Sequence, residues 1–479
     1  MTSGNAENVP PLTLPPSSHQ PLELQLPQPS QSPYWEQPPL LPPPPLPRSQ
    51  SPEGEQPPLT PPPPLPPSQS AQCSYLPHLI PPPPPRSSRI PRGVRIPNLD
   101  YVEDVSKYRR GGLHPVNLGG VLGHKYKVIH KLGYGGFATV WLARVLGEQG
   151  YVAVKIPRAD SSNKEITILT HLQSVANHLA IANLLDTFTI AGPNGIHNCL
   201  VSEAGGPKLG AICRFGKRLP ISFVRPAAQQ LAACVACLHS AGICHGDLTD
   251  NNVLFEIKDL QQWSEAELYQ HLGAPKAATL LQFNGDPAPP SAPVEAVSAI
   301  NYSNFDTGLF SGRTRIVDFG EAFSTSSPPA GLGTAASYFA PEMLFGYPPS
   351  LASDVWALGC LIFEMHTSRV FAPAFFGSVE EALGMTHAAL GALPEAWQDS
   401  WCDKAKPLTS GPGKKHYWFD DQIQRSRPLD SEVRKAMPEL SLEELDLLLD
   451  LLKGTLAYEP SHRLTAAKVA RHAWFTREL

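Results

Sequence analysis

Apolar and polar positions along this chain follow two rhythms, and the switch between them divides it. Tyr126–Leu132, Thr139–Arg144 and Tyr151–Ile156 are short runs rich in Val, Ile, Trp and Tyr, which predicts strands, the first two flanking a glycine turn. Asn163–Leu172 predicts a helix. Beyond Ser222 apolar residues recur at three- and four-residue spacing, so Phe223–Ser240, Leu351–His366 and Leu442–Leu456 predict helices. The expected fold class is therefore α+β, with a small strand-rich lobe over residues 98–205 and a larger helical lobe over 206–479. Two stretches interrupt the second lobe. The Ala-, Pro- and Ser-rich stretch Gln261–Ser311 is expected to be an inserted, largely mobile loop. Val370–Arg434 mixes aromatics and charges with weak periodicity and is expected to form an appended subdomain. No internal repeat is visible.

Composition changes the picture at the N-terminus. More than half of the 55 prolines in the 479 residues fall within the first hundred. Proline fixes φ and lacks an N–H donor, so neither helix nor sheet propagates there. Residues 1–97 are expected to be a disordered tail whose tracts Pro42–Pro47, Pro61–Pro67 and Pro81–Pro85 favour polyproline II. A solvated spacer is the first reading of that tail. Docking of its PxxP segments by SH3- or WW-type partners is the second.

Charge and cysteine content exclude several classes. The net charge of −5 gives no clustered basic face, so no direct nucleic-acid partner is expected. No run of 18 apolar residues appears, so no membrane span is expected. The N-terminus lacks the basic start and apolar stretch of a secretion signal. Among eight cysteines only Cys234 and Cys237 form a CxxC, inside the apolar segment Leu231–His239, where both read as core. The chain reads as intracellular and reduced, in the cytoplasm, the nucleus or both.

The candidate chemistry lies in four places. Gly133, Gly135 and Gly136 sit between two strands, where the lack of a Cβ lets backbone N–H groups approach phosphate oxygens. A hairpin turn and a dinucleotide-binding turn are the alternatives, but the latter should open a helix, and Thr139-Val140-Trp141-Leu142 reads as strand. Val152-Ala153-Val154-Lys155 places one lysine in an apolar strand, where anionic partners would have to neutralise it. Glu165 is the candidate carboxylate; Ser162 three residues earlier also spells a capping box, in which Glu165 would only receive the Ser162 N–H. Last, His245-Gly246-Asp247-Leu248-Thr249-Asp250-Asn251-Asn252 is a polar loop, and Arg315-Ile316-Val317-Asp318-Phe319-Gly320 follows in the chain. Asp247 would accept or orient a hydroxyl proton, while Asn252 and Asp318 would offer hard oxygens to Mg²⁺. Downstream, Glu342 of Ala340-Pro341-Glu342 and Arg463 are expected to form a buried structural bridge.

With Asp354-Val355-Trp356-Ala357-Leu358-Gly359 completing the set, the sequence resembles the protein kinase superfamily from about Tyr126 to Phe475, motifs in family order. More narrowly, Tyr108–Val116, Tyr126–Gly133 and Phe137–Ala143 are similar to the SR-protein kinase family, fungal members especially. The resemblance implies a bilobal kinase fold binding ATP and Mg²⁺ between the lobes. It implies an ATP site lined by Leu132, Gly133, Gly135, Gly136, Val140, Ala153, Lys155, Glu165, Glu203 and Gly205, with adenine paired to backbone near Glu203 and Gly205. It implies protein substrates carrying Arg/Ser-rich segments, docked on an acidic groove in the region of Glu380, Glu381, Asp420 and Asp421, for which an exposed acidic face is the plainer reading. Departures are also present. Ala138 replaces the third glycine, Gly246 replaces the arginine before the catalytic aspartate, and Thr249 stands where the family's lysine contacts the γ-phosphate. The Lys155–Glu165 connection is also shorter than the family norm. Two rival readings follow: a pseudokinase scaffold, supported by Thr249, Ala138 and the short Lys155–Glu165 connection, and a small-molecule phosphotransferase, which shares His245-Gly246-Asp247 followed by Asn252.

Overall fold

The computed structural model describes residues 98–159, 161–175, 181–213, 218–375, 377–398 and 427–477. The proline tail, Asp420 and Asp421 lie outside the described residues.

The first lobe is a six-stranded antiparallel sheet in the order β1-β2-β3-β4-β6-β5. Its strands are β1 (Val121–Leu122), β2 (Tyr126–Tyr134), β3 (Ala138–Val145), β4 (Tyr151–Pro157), β5 (Leu184–Gly192) and β6 (Gly195–Glu203). Helix α1 (Lys164–Val175) connects β4 to β5. Strands β3 and β4 are buried along most of their length, because both faces of the sheet are covered. On one face Leu142, Leu169, Leu172 and Leu200 join the main core. On the other Val128, Trp141, Val154 and Val201 pack with Val116 and Val297, the last from the far side of the insert.

The second lobe is built on α3 (Ile221–Ser240) and α6 (Leu351–Thr367), preceded by the short α2 (Leu209–Cys213). Helix α3 is long and apolar enough to cross a membrane by composition, yet Val224, Ala227, Leu231, Val235 and Leu238 are buried in the protein core. Its Cys234 is buried in that core, whereas Cys237, also read as core, is only partly buried. Ser350 caps α6 through a reciprocal box with Ser353, and Ser368 ends it with φ 55°. Then come α7 (Val379–Leu390), α8 (Leu429–Ala436), α9 (Leu442–Thr455), α10 (Ala466–Ala470) and α11 (Ala473–Thr476). Arg463 donates to both Glu342 oxygens, at 2.8 and 2.6 Å, with the two side chains 0% and 1% exposed. The buried bridge read from the sequence is thus present.

The insert departs from expectation. Instead of a largely mobile loop, it contains α4 (Glu265–Leu272), opened by a Ser264–Glu267 capping box, and an antiparallel pair, β9 (Ala277–Thr279) with β10 (Glu295–Val297). Leu280, Ala292 and Ala296 bury against Val105, Tyr108 and Leu113 of the segment before β1. Low periodicity concealed this, because small residues acquire a core only through partners far away in sequence.

Candidate active site

Two small ladders bring the polar loops together. Strand β8 (Val253–Ile257) pairs with β11 (Phe310–Ile316), Val253 opposite Ile316. The residue before β8 therefore meets the residues after β11, and the Val317 N–H donates to Asn252 O at 3.0 Å. Likewise β7 (Ile243–Cys244) pairs with β12 (Phe323–Ser324), which lays His245–Asp247 beside the chain leaving Asp318. Antiparallel register thus positions Asp247, Asn252 and Asp318 on adjoining strand ends.

The loop is held from below. Asp354, buried in the first turn of α6, accepts from the N–H groups of His245 at 2.7 Å and Gly246 at 3.0 Å, and bonds His239 Nε2 at 3.1 Å. Burial works against the Asp354 charge, but His239, His245 and the Gly246 N–H outweigh it and hold its carboxyl below the usual range. The Asp247 N–H donates to His245 Nδ1 at 3.2 Å, which leaves Nε2 to donate to Val317 O at 3.3 Å. Burial keeps this imidazole below its ordinary pKa. Neither His245 nor Asp354 stood out in the sequence as a support of the site.

Asn252 Nδ2 donates to Asp247 O and Oδ2, both at 2.8 Å. With both amide hydrogens so used, its carbonyl oxygen is the atom left for a ligand. Burial and the charge of Asp318 push the Asp247 carboxyl up to about 7, Asn252 opposing them. Lys155 Nζ lies 2.6 and 2.8 Å from the Glu165 oxygens and 2.9 Å from Asp318 Oδ1. Burial disfavours its charge, but the two carboxylates prevail and the ammonium pKa is raised. Asp318 has φ 67°, a left-handed conformation rare outside glycine, and the Phe319 N–H that follows donates to Glu165 Oε1 at 3.1 Å. Glu165 therefore joins Lys155 to the Asp318 segment rather than serving a capping box. The short connection suffices because Glu165 sits in the first turn of α1.

A cavity of about 1080 Å³ between sheet and helices gathers the predicted residues: Leu132, Gly133, Gly135, Gly136, Val140, Ala153, Lys155, Glu165, Glu203, Gly205, Asp247, Asn252 and Asp318 all line it. Tyr101 and residues 299–302 line it too, and no sequence signal pointed to them. Thr249 differs: it is 4% exposed and is not among the lining residues. Gly246 has φ 76°, and a Cβ there would stand 2.9 Å from Glu321 O, so an arginine would need a different backbone. Of the acidic candidates, Glu381 is only 3% exposed and accepts from the Phe375 N–H at 3.0 Å, so it contributes neither a groove nor an exposed acidic face. Asp318 and Asn252 offer the hard oxygens that suit Mg²⁺, which commonly keeps waters and binds one or two protein groups plus phosphate.

Two lobes, a glycine turn, a paired lysine and these converging carboxylates define a protein kinase. The chain belongs to the protein kinase domain family, which it matches over residues 126–264 and 307–475, a match that skips most of the insert. It is 26% identical over 406 residues to the serine/threonine-protein kinase SRPK of Physarum polycephalum, covering 78% of this chain and 91% of that one. It is 27% identical over 421 residues to a serine/threonine protein kinase of Aspergillus fumigatus, covering 81% and 94%. Human SRSF protein kinase 3 is 32% identical over 188 residues, 36% of this chain and 33% of its own length. A kinase domain known from a crystal structure shares the fold with a TM-score of 0.53 at 18% identity, covering 76% of this chain and 98% of its own.

Proposed function

We propose that this chain is a protein serine/threonine kinase that transfers the γ-phosphoryl group of ATP to hydroxyls in Arg/Ser-rich proteins. The observation that carries the reading is the convergence of Lys155, Asp247, Asn252 and Asp318 on one cavity. The similarity to SRPK-type enzymes supports the substrate class. Lys155 holds the nucleotide phosphates, and Glu165 keeps its ammonium in place. The N–H groups near Gly133, Gly135 and Gly136 approach the phosphate oxygens. Leu132, Val140 and Ala153 enclose the adenine, whose edge pairs with backbone near Glu203 and Gly205. Asp247 orients the acceptor hydroxyl and takes its proton, and Asn252 fixes the Asp247 carboxylate. Asp318 and Asn252 would hold Mg²⁺, which neutralises charge on the phosphates when bound.

Gly246 leaves no arginine beside Asp247 to grip a phosphorylated activation loop, so activity should not depend on loop phosphorylation. A sharp rise in rate on phosphate incorporation would contradict that. For the proline tracts, SH3- or WW-type partners are a separate proposal, tested by titrating a Pro61–Pro67 peptide into such a domain; failure to saturate rejects it. The main test is label transfer from γ-labelled ATP with Mg²⁺ to a panel of Arg/Ser-rich, acidic and proline-directed peptides. Preference for the Arg/Ser-rich peptides, lost in Asp247→Ala, is expected. Equal or no transfer rejects the reading.

A further inference from the structure

The cleft contains one carboxylate that the chemistry above leaves idle. Glu321 lines the same cavity as Asp247, Asn251, Asn252 and Asp318. The ladder of β12 with β7 fixes the chain just after it, and its carbonyl oxygen packs on the catalytic loop at Gly246. Its side chain reaches the loop downstream: Oε1 lies 3.7 Å from the place a Cβ on Gly333 would occupy. The next residue, Thr334, donates Oγ1 to Gly246 O at 2.6 Å, closing that loop over the catalytic one. Glu321 thus stands on the wall between the catalytic aspartate and the segment that follows.

This carboxylate is half-buried, and among the described residues it accepts no hydrogen bond and makes no ion pair. A carboxylate on the cleft wall with no partner inside the protein has its oxygens available to an external cation. A metal ion fits poorly. Among the described residues no three His, Cys, Asp or Glu side chains converge on a point, so Glu321 does not share one shell with Asp247 and Asp318. A substrate cation fits better. An extended peptide advances about 3.3 Å per residue, and an arginine beside the acceptor adds the length of its own side chain. Its planar fork matches a carboxylate, and the bond formed is charge-assisted.

We propose that Glu321 is a specificity-determining residue that accepts the guanidinium of an arginine directly flanking the acceptor Ser or Thr. This rests on the protein-kinase reading and names the substrate feature that the same site selects. The test compares kcat/KM of the full chain and its Glu321→Gln variant on two serine peptides, one with arginine beside the acceptor and one with its neutral isostere citrulline. Unchanged ATP affinity reports an intact fold. The unaltered chain should favour arginine by about 10- to 100-fold, the scale of one hydrogen bond to a charged group, and Glu321→Gln should bring the ratio near one. Glu321→Lys should turn the preference toward a glutamate-flanked peptide. A ratio near one in the unaltered chain, or one that Glu321→Gln leaves alone, overturns the proposal and leaves the kinase reading standing. A changed Mg²⁺ requirement with the peptide ratio intact makes Glu321 a metal ligand and overturns it as well. No transfer to any peptide overturns the kinase reading, and this proposal with it.

Discussion

Two lysines on the first sheet each face a glutamate, and the protein uses them differently. Lys131 pairs across β3 with Trp141, and Lys155 pairs with Val140, the residue next to it. Successive residues on a strand point to opposite faces, so one lysine meets the outer layer and the other the cleft. Lys131 is sealed: it pairs with Glu103, donates to Val297 O at 2.9 Å, lies 4.8 Å from the Trp141 ring centroid and is 0% exposed. Lys155 keeps 20% exposure and holds two carboxylates, Glu165 and Asp318. The pKa directions diverge accordingly. Burial outweighs Glu103 and depresses Lys131, whereas the two carboxylates outweigh burial at Lys155 and raise it. Chemically similar ion pairs are sealed inside the fold in one place and open to the cleft in the other, according to what covers them and how many anions they meet.

The comparison can be broken at either end. On the cleft side, Asp247→Ala should lower the transfer rate by about 10²–10⁴, the range for a general base, with the melting temperature nearly unchanged. On the sealed side, Lys131→Met leaves the Glu103 charge buried with no cation and only the Tyr108 hydroxyl donating to it, and should cost about 3–5 kcal/mol in urea unfolding, while the rate per folded molecule holds. Adding Glu103→Leu should restore part of that loss, because it removes the uncompensated charge but leaves the buried Tyr108 hydroxyl without its acceptor. If Lys131→Met instead abolished transfer without loss of stability, the division between the two lysines would fail.

Acid should act chiefly through buried histidines. Burial holds His130, beside Lys131, and His366 at about 4 against an ordinary 6.5. Both stay neutral when folded, while the unfolded chain takes up protons below about 6.5. Their share of stability is complete above that pH and falls as pH drops toward 4, so the urea midpoint should be lower at pH 5 than at pH 7. The smallest effect belongs to the insert. Ser264→Ala removes the α4 cap and should cost about 1 kcal/mol, with no change in rate.

The sequence made the cleft legible because its residues are polar exceptions inside apolar strands and loops: Lys155 in β4, Asp318 after β11. Each betrays itself where it stands. Lys131 did not, because its significance depends on Glu103 and Val297, which meet it only in three dimensions. The insert escaped for the same reason: Leu280 and Ala296 have no core until Val105 and Leu113 arrive. Thr249 illustrates a different gap. Its position in the motif suggested a place beside the phosphates, yet the local turn buries it. Motif spacing locates the backbone and leaves the side-chain direction open.

The most direct measurement is initial-rate transfer of label from γ-labelled ATP to an Arg/Ser-rich peptide at fixed Mg²⁺, with Asp247→Ala and Lys155→Met run alongside. The account predicts incorporation into serine by the unaltered chain and near-complete loss in both variants, each still folded. Undiminished incorporation in either variant, or none in the unaltered chain while ATP still binds, would contradict it.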